Sequence, residues 1–308
     1  MARQWEGKSR GGSFGYKVFI WLLRHIGLEA TYLLLCLVVL YFIPFAPRQT
    51  RSAWVYSRTI LGYGRMRASW FLVRSYFAFG KSIIDKVAIG SGMEDRFSFE
   101  FENHRMMLDL IESGKGYVAI GAHVGSWQMG APFFGKYGSR INVVMYDHER
   151  QAVKKVLEDH VQEDSFKIIP IADDGISHVF EISNALRNGE LVCFQGDRYM
   201  NEDRYLTAEF MGHDAKFPRG PFLLASRLRV PVVFYFAMRE RGRRYRFHFF
   251  APGAPGTSGV QNDGRPLREE ELFTQYVKSL ETMVRRYPEQ WFNYYDFWNI
   301  YSSGKRNS

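Results

Sequence analysis

The chain has 308 residues, which is enough for one large domain or two of average size. Hydrophobic residues make up 46% of the sequence and charged residues 24%, a composition that excludes an intrinsically disordered chain. The two cysteines, Cys36 and Cys193, are too few for a disulfide framework or a four-cysteine metal site. Both lie in apolar runs, so we expect them to behave as small buried hydrophobic residues.

The net charge of +9 is concentrated at the N-terminus. Residues 1–84 contain 12 Lys and Arg against 2 Asp and Glu, whereas the remaining residues contain 29 against 30. A basic surface attracts polyanions, and nucleic acid, anionic lipid head groups and an acidic protein are all candidates. The residue types that lie among these charges indicate which of these three partners is favoured.

An apolar segment near the N-terminus predicts attachment to a membrane. Residues 30–45 carry no charge, and Pro44 and Pro47 predict that the helix ends near Phe42. The remaining apolar stretch is shorter than the ~20 residues that a helix needs to cross a bilayer. Together with the apolar residues 16–28 it predicts either one tilted helix or an in-plane helix followed by a re-entrant one. A buried helix of a soluble protein is the alternative.

Residues 48–92 are predicted to form basic amphipathic helices at a lipid surface. Basic residues recur every seven positions, so each set stays on one face of its helix. The two sets are Arg51, Arg58 and Arg65, and Arg67, Arg74 and Lys81. Trp and Tyr side chains lie among them, as is typical of a head-group interface, and Gly62–Gly64 is predicted to separate two helices. A solvated face is the alternative, and the absence of a recognised module argues against nucleic acid.

From residue 93 onwards, short apolar runs alternate with helical patterns. This alternation predicts an α/β fold with a mostly parallel central sheet and helices on both faces, preceded by the apolar membrane-anchoring helix. The predicted strands are 117–122, 141–146, 166–171, 191–194, 230–237 and 245–251, and the predicted helices are 99–113, 127–137, 149–163, 175–188, 218–228 and 268–287. The predicted regions are an N-terminal tail and anchor (1–47), the interfacial helices (48–92) and the α/β domain (93–308).

Most short motifs in the sequence do not support a site. Residues 11–15 match G-x-S-x-G but lie in a polar tail with no preceding strand, so they do not form a nucleophile elbow. Asp173-Asp174 is interpreted as a helix start rather than a metal-binding pair. No metal-ligand spacing and no phosphate-binding glycine motif is present. We therefore expect neither a metal nor a cofactor.

His123 is the strongest candidate for a catalytic residue. It follows the predicted strand 117–122, and open α/β sheets place their ligand sites at the carboxyl ends of strands. Gln128 lies within reach of the imidazole if the turn doubles back. Backbone N–H groups at the start of the predicted helix 127–137 are expected to stabilise negative charge on a reacting oxygen. A structural histidine is the alternative interpretation.

The stretch GKGYVAIGAHVGSWQMG, residues 114–130, resembles a block of the bacterial lipid A late acyltransferase family, the lauroyl and myristoyl transferases. In that family a glycine-lysine-glycine turn and a strand precede His-x4-Glu or His-x4-Asp. Further similar blocks follow in the same order at 194–198, 210–212, 217–221, 223–234 and 286–291. The resemblance covers residues 99–298, with the apolar N-terminus in the position of the family's anchor, and extends to the wider glycerolipid acyltransferase superfamily.

The resemblance implies transfer of a fatty acyl group from acyl carrier protein or coenzyme A to a hydroxyl or amine of a lipid. His123 would be the general base, and no covalent acyl-enzyme is required. Aromatic residues would line an acyl channel. Lipid A and lipopolysaccharide biosynthesis, at the cytoplasmic face of a bacterial inner membrane, would be the setting. Lysophospholipids, amino-acid lipids and pigment-like molecules stay open as acceptors, and the oligomeric state stays open too.

Gln128 departs from the family pattern, which has a carboxylate at this position. A neutral amide accepts a hydrogen bond from the imidazole but offers no charge to an imidazolium. Three interpretations follow. Gln128 orients His123 in a slower enzyme, or another carboxylate, with Asp197 the best candidate, supplies the charge, or the site is a relic. In the last case the protein binds lipid or assists assembly without catalysis.

Four polar residues are predicted to contact the substrates. Asp197 and Arg198 directly follow the apolar strand 191–194, and Arg198 is suited to a phosphate or carboxylate. The alternative for Arg198 is a surface ion pair with Glu202 or Asp203. Lys216 and Arg219 precede the predicted turn into a helix at Pro221 and are weaker candidates for the same role.

Overall fold

The computed structural model describes residues 13–130, 134, 137–138, 140–146, 166–171, 177–198, 205–253 and 267–300. The predicted helix 149–163 and the pair Asp173-Asp174 lie outside these residues, as do Glu202 and Asp203.

Four helices form the N-terminal part of the chain. They are α1 (Ser13–His25), α2 (Leu28–Phe45), α3 (Pro47–Val55), which continues into a π-helical turn (Tyr56–Ile60), and α4 (Arg65–Gly90). The predicted break at Gly62–Gly64 is confirmed, because α4 starts directly after it. The predicted helix end near Phe42 is wrong: α2 continues through Pro44 and ends at Phe45, so the missing N–H of Pro44 removes one backbone hydrogen bond just before the helix ends.

Helix α2 is half embedded in the protein. Its buried residues repeat at helical spacing, and they include Leu28, Tyr32, Leu35 and Val39. The helix lies close to α4, where a Cβ at Gly80 would be 2.3 Å from a methyl carbon of Leu35. The opposite face exposes Leu33, Leu37, Leu40 and Tyr41. Among the described residues, α2 is the helix that is long and apolar enough to cross a membrane.

The centre of the protein is a seven-stranded sheet, so the predicted α/β class is confirmed. The sheet order is β1-β9-β8-β2-β5-β3-β4, and its pairs are parallel except for β8 with β9. These strands are β1 (Ser98–Glu102), β2 (Tyr117–Gly121), β3 (Ile141–Tyr146), β4 (Lys167–Ile171), β5 (Leu191–Gln195), β8 (Val232–Arg239) and β9 (Arg244–Phe250). A separate antiparallel hairpin comprises β6 (Tyr205–Phe210) and β7 (His213–Pro218).

Helices cover both faces of the sheet. Helices α2, α4 and α5 (His104–Glu112) supply apolar side chains to the core on one face. Helices α6 (Ser177–Arg187), α7 (Gly220–Leu228) and α8 (Glu269–Arg286) supply the core on the other face. The N-terminal helices therefore pack on the same structure that carries the predicted site.

Two strand regions differ from the prediction. Residues 98–102 form β1, although the sequence predicted a helix over 99–113. Phe99 and Phe101 alternate with Glu100 and Glu102, which is a period of two and places the acidic side chains beside Arg244 and Arg246 of β9. The hairpin β6–β7 was also missing from the predicted strands. Its turn at Met211–Gly212 has positive φ at both residues, 57° and 81°.

A buried polar cluster joins the N-terminal helices to the sheet. The carboxylate of Asp85, on α4, is fully buried and accepts hydrogen bonds from three side chains. Arg239 Nε donates over 2.7 Å, the Tyr245 hydroxyl over 2.5 Å, and the hydroxyl of Tyr32 on α2 donates to the second oxygen. A buried carboxylate is stable only with such partners. The cluster therefore fixes α2 and α4 against β8 and β9.

Candidate active site

The register of two neighbouring strands brings His123 and Asp197 together. Strands β2 and β5 are parallel, fully or nearly buried, and paired so that Gly121 lies opposite Gln195. The pairing continues beyond the strands, because Gly196 N donates to Gly121 O over 2.9 Å. Counting two residues past each strand end places His123 opposite Asp197. Both side chains lie at the carboxyl edge of the sheet, where α/β folds place their sites.

Asp197 holds His123 through both carboxylate oxygens. The imidazole Nδ1 donates to Oδ1 over 2.8 Å, and the backbone N of His123 donates to Oδ2 over 2.9 Å. The carboxylate is fully buried, whereas 18% of the His123 side-chain surface is exposed. An ionised carboxylate only accepts hydrogen bonds, so the neutral ring carries its proton on Nδ1. Nε2 is then the nitrogen with a free lone pair.

The pKa of Asp197 lies below its ordinary value. Burial by itself raises the pKa of this carboxyl, but the opposing effects are larger in sum. When the His123 ring is protonated, its positive charge stabilises the carboxylate, and so does the hydrogen bond from the ring; Arg198 and the backbone N–H of His123 add to this. Asp197 is therefore an ionised partner for the imidazole at neutral pH.

A C-terminal strap, defined here as residues 290–292, holds the main chain of the His123 loop. Gly125 N donates to Gln290 O over 2.8 Å, and Phe292 N donates to His123 O over 2.9 Å. Gly125 has φ +66°, and a Cβ there would be 2.2 Å from the carbonyl oxygen of Ala237. Only glycine tolerates both the backbone conformation and this close approach. The loop is thus fixed between the strap and β8.

Tyrosine hydroxyls support the strand ends beneath the pair. Tyr276, on α8, donates to Gly121 O over 2.8 Å, and Tyr295 donates to Asp197 O over 3.4 Å. A Cβ at Gly196 would be 2.7 Å from the ring of Tyr276, so glycine is required for this approach. These contacts fix the main chain that positions both members of the pair.

Gln128 has a different environment from the one predicted. The structure contains no hydrogen bond between Gln128 and the ring of His123, whose Nδ1 is bonded to Asp197. The Gln128 side chain lines a small cavity of about 20 Å³, which is room for roughly one water molecule. The other lining residues are Trp127, Gly130, Phe134, Ile141, Val143, Phe166, Cys193 and Tyr235. The geometry thus contains the contact required by the Asp197 interpretation of the site.

This cavity is too small for a fatty acyl chain. Its described lining is largely apolar and aromatic, but neighbouring residues 131–133 and 147–165 lie outside the described part of the chain. The predicted acyl channel stays a prediction.

Three backbone N–H groups around the predicted helix start are bonded to main-chain carbonyls. At the start of the predicted helix 127–137 the structure has a short 3-10 turn, Trp127–Met129, and Gly130 and Phe134 after it are α-helical. The N–H groups of Gly125, Ser126 and Met129 donate to Gln290 O, Ala237 O and Ser126 O. These three groups are unavailable to a reacting oxygen in this arrangement.

The other predicted substrate contacts are distributed over the surface of the domain. Arg198 Nη2 donates to Phe292 O over 3.0 Å, so this guanidinium contacts the strap rather than only solvent. Lys216 lies 3.9 Å above the ring of Tyr205, and Arg219 forms an ion pair of 2.7 Å with Glu269. Neither Lys216 nor Arg219 contacts the His123–Asp197 pair. Their binding of substrate stays a prediction.

Three supporting residues were not assigned a role from the sequence: Gln290, Phe292 and Tyr276. Gln290 belongs to the similar block 286–291, and Phe292 follows it directly. That block was the available signal, but the contact of these residues with the His123 loop depends on a separation of more than 160 positions. Nothing in the sequence marks Tyr276 apart from the other core aromatics.

The sequence and the structure were compared with known proteins. The profile of the bacterial lipid A biosynthesis acyltransferase family matches residues 84–298. Among solved structures, the chain is similar to the 1-acyl-sn-glycerophosphate acyltransferase PlsC from Thermotoga maritima, with 14% identity and a TM-score of 0.38. That similarity covers 84% of this chain and 96% of the other. No curated protein matches the chain.

Replacing Asp197 by Asn is expected to lower the free energy of unfolding by about 1.5–3 kcal/mol at neutral pH, because charge-assisted hydrogen bonds to His123 are lost. The folded pKa lies below the unfolded value of roughly 3.9. The carboxylate therefore contributes fully above that value, and its contribution disappears as the pH falls through the folded pKa. Urea unfolding of both proteins across this range measures the difference.

The exposed ion-paired Asp109 offers the matched control, since Asp109→Asn should change stability little at any pH. A deficit in Asp197→Asn that is independent of pH would contradict the stated ionisation.

Proposed function

The chain belongs to the bacterial lipid A biosynthesis acyltransferase family, and on this premise we propose that it transfers a fatty acyl group from a thioester to a hydroxyl or amine of a membrane lipid, with His123 as general base. One observation carries the assignment of the base: the 2.8 Å contact that fixes Nδ1 of His123 on a buried carboxylate. This leaves Nε2 to accept a proton on the partly exposed side of the ring.

The reaction follows from this arrangement. Nε2 of His123 takes the proton of the acceptor group as its oxygen or nitrogen attacks the thioester carbonyl, and a carbon–oxygen or carbon–nitrogen bond forms. The tetrahedral intermediate collapses, the carbon–sulfur bond breaks, and the leaving thiolate takes the proton back from the imidazolium. Asp197 fixes the tautomer and stabilises the imidazolium. In serine proteases, replacing the equivalent carboxylate by an amide lowers the rate by ~10⁴.

In this proposal Asp197 takes the role of the carboxylate that the family has at position 128. The charge required by the imidazolium then comes from the neighbouring strand rather than from the same loop. Gln128 contributes to the small cavity beside the loop and has no direct role in orienting the ring. The presence of glutamine instead of a carboxylate at position 128 is therefore compatible with an active enzyme.

We assign the donor to the thioester of acyl carrier protein or coenzyme A and the acceptor to a lipid of the lipid A type. The excess positive charge of residues 1–84 supports an acidic partner, which both anionic lipid and acyl carrier protein provide. Arg198, next to Asp197 and in contact with the strap, is the residue best placed to bind an anionic group of either substrate.

The exposed face of α2 is proposed to seat the enzyme in the cytoplasmic leaflet of the inner membrane. Leu33 and Leu37 are 71% and 66% exposed, whereas the opposite face of the helix packs on α4. Trp21 and Trp70 are exposed on α1 and α4, and Trp is enriched at membrane interfaces. A helix held along one face by the protein favours lying in one leaflet over crossing the bilayer alone.

We predict that His123→Ala lowers acyl transfer by about 10²- to 10⁴-fold, because the acceptor loses its general base. Lipid extracts of cells that produce the wild type or the variant are compared by mass spectrometry. The variant should accumulate one lipid that is lighter by a fatty acyl group, which also identifies the acceptor.

The exposed His213 provides a matched control, and His213→Ala should leave the lipid profile unchanged. Undiminished acylation with His123→Ala would contradict the proposed base. Binding of acyl chains without turnover, equal in wild type and variant, would favour the non-catalytic lipid-binding alternative.

The double variant Leu33→Glu, Leu37→Glu is expected to weaken binding to anionic lipid vesicles by at least tenfold. Each Leu buried in lipid contributes about 1.5–3 kcal/mol, and about 1.4 kcal/mol corresponds to a factor of ten. Vesicle co-sedimentation measures the change. Phe180→Glu is the control, because this side chain is 67% exposed on α6, outside the N-terminal helices. Equal loss in both proteins would contradict a seat on α2.

A further inference from the structure

Gln290 connects the His123 loop to the end of β8 through its side chain and main chain. Its side-chain amide makes two hydrogen bonds with the backbone of Arg239: Nε2 donates to Arg239 O over 2.7 Å, and Arg239 N donates to Oε1 over 3.0 Å. Its backbone oxygen accepts from Gly125 N over 2.8 Å. Gln290 thus fixes the distance between the end of β8 and the loop that carries His123.

Arg239 continues this connection towards the N-terminal helices. Its guanidinium Nε donates to Asp85 Oδ2 over 2.7 Å, and Nη2 donates to the hydroxyl of Tyr32 over 3.4 Å. Tyr32 lies on α2, and its hydroxyl in turn donates to Asp85. Beside the strap, Glu289 also forms an ion pair of 2.9 Å with Arg74 of α4. The hydrogen bonds therefore run without interruption from α2 to the main chain next to His123.

We propose that Gln290 is a positioning residue for His123, and that Arg239 and Asp85 connect it to α2 so that seating of this helix in lipid holds the catalytic loop in place. This inference rests on the proposed function for its kinetic consequences. It assigns a common purpose to Asp85, Arg239 and Gln290, none of which contacts the His123 ring.

The physical argument concerns the rigidity of a buried polar network. A buried carboxylate held by a guanidinium and two tyrosine hydroxyls has one favoured geometry, because moving any of these partners leaves the buried charge with fewer hydrogen bonds. The side chain of Arg239 is bonded within the cluster, and its backbone N and O are bonded to the side chain of Gln290. A displacement of α2 must therefore move Arg239 or break the cluster. Small misplacement of a catalytic group, of the order of 1 Å, costs about 10²-fold in rate.

The first test replaces Gln290 by Ala in the full-length enzyme on lipid vesicles. We expect kcat to fall about 10- to 10²-fold with little change in KM, because the ring is misplaced while substrate contacts remain. Gln275→Ala is the matched control: its half-buried amide accepts a hydrogen bond of 2.9 Å from Gly253 N, away from the loop. Both variants should have similar unfolding midpoints. Equal kcat values for the two variants would overturn the proposal.

A second readout is independent of activity. NMR of ¹⁵N-labelled histidine reports which ring nitrogen carries the proton, and the His123 signal is assigned by its absence in His123→Gln. We expect Nδ1 to be protonated in wild type and Gln275→Ala, and both nitrogens to show mixed protonation in Gln290→Ala. An unchanged signal in Gln290→Ala would overturn the proposal. If the wild type lacked acyl transfer, the proposed function would fail while this measurement still decided the role of Gln290.

The link to α2 is tested by a double-mutant cycle. Tyr32→Phe removes the hydroxyl that Asp85 and Arg239 share. Tyr137→Phe is its control, because this side chain is 42% exposed and lies outside α2 and its proposed lipid-facing surface. We expect Tyr32→Phe to lower kcat in wild type but to add little in Gln290→Ala. Distant, independent substitutions have additive free energies, so their effects on rate multiply. Multiplying effects of Tyr32→Phe and Gln290→Ala would overturn the link to α2.

Discussion

The site depends on the register between two parallel strands. Because Gly121 lies opposite Gln195, the residues two positions beyond each strand place an imidazole and a carboxylate in direct contact. A shift of one residue would turn His123 or Asp197 to the other face of the sheet. The apolar β2 and β5, buried on both faces, fix this register far more strongly than the polar contact itself. Sheet packing therefore determines the geometry of the His123–Asp197 contact.

The helices proposed to seat the protein in the membrane pack on the same sheet. Helix α4 packs against the sheet, supplies Asp85 to the polar cluster, and places Gly80 against α2. A catalytic base with a lipid acceptor must stand at a fixed height and angle to the bilayer. A flexible tether would leave both undetermined, whereas a packed helix with a buried ion pair sets them. In the proposed function, α2 and the sheet therefore hold a fixed orientation to each other and to the bilayer.

Some of this was predictable from the sequence, and the reasons for the rest are physical. The apolar runs and their spacing identified six of the seven central strands and the position of His123, since burial patterns are local. The missed strand β1 shows the limit: four alternating residues before a helix were assigned to the helix. The partner of His123 was harder, because Asp197 lies 74 positions away and only the strand order makes β2 and β5 neighbours. Because the resembling family has a carboxylate at position 128, Gln128 was the first candidate for the partner of His123, with Asp197 as the alternative.

The central claim is that the carboxylate acting on His123 comes from position 197 and not from position 128. It is tested most directly by comparing acyl transfer in Asp197→Asn with that in the double variant Asp197→Asn, Gln128→Glu. The account predicts that the glutamate fails to restore activity, so both proteins stay far below wild type, by ~10⁴ if the serine-protease comparison holds. Recovery of the double variant to near the wild-type rate would show that a carboxylate at position 128 orients the His123 ring, and would contradict the account.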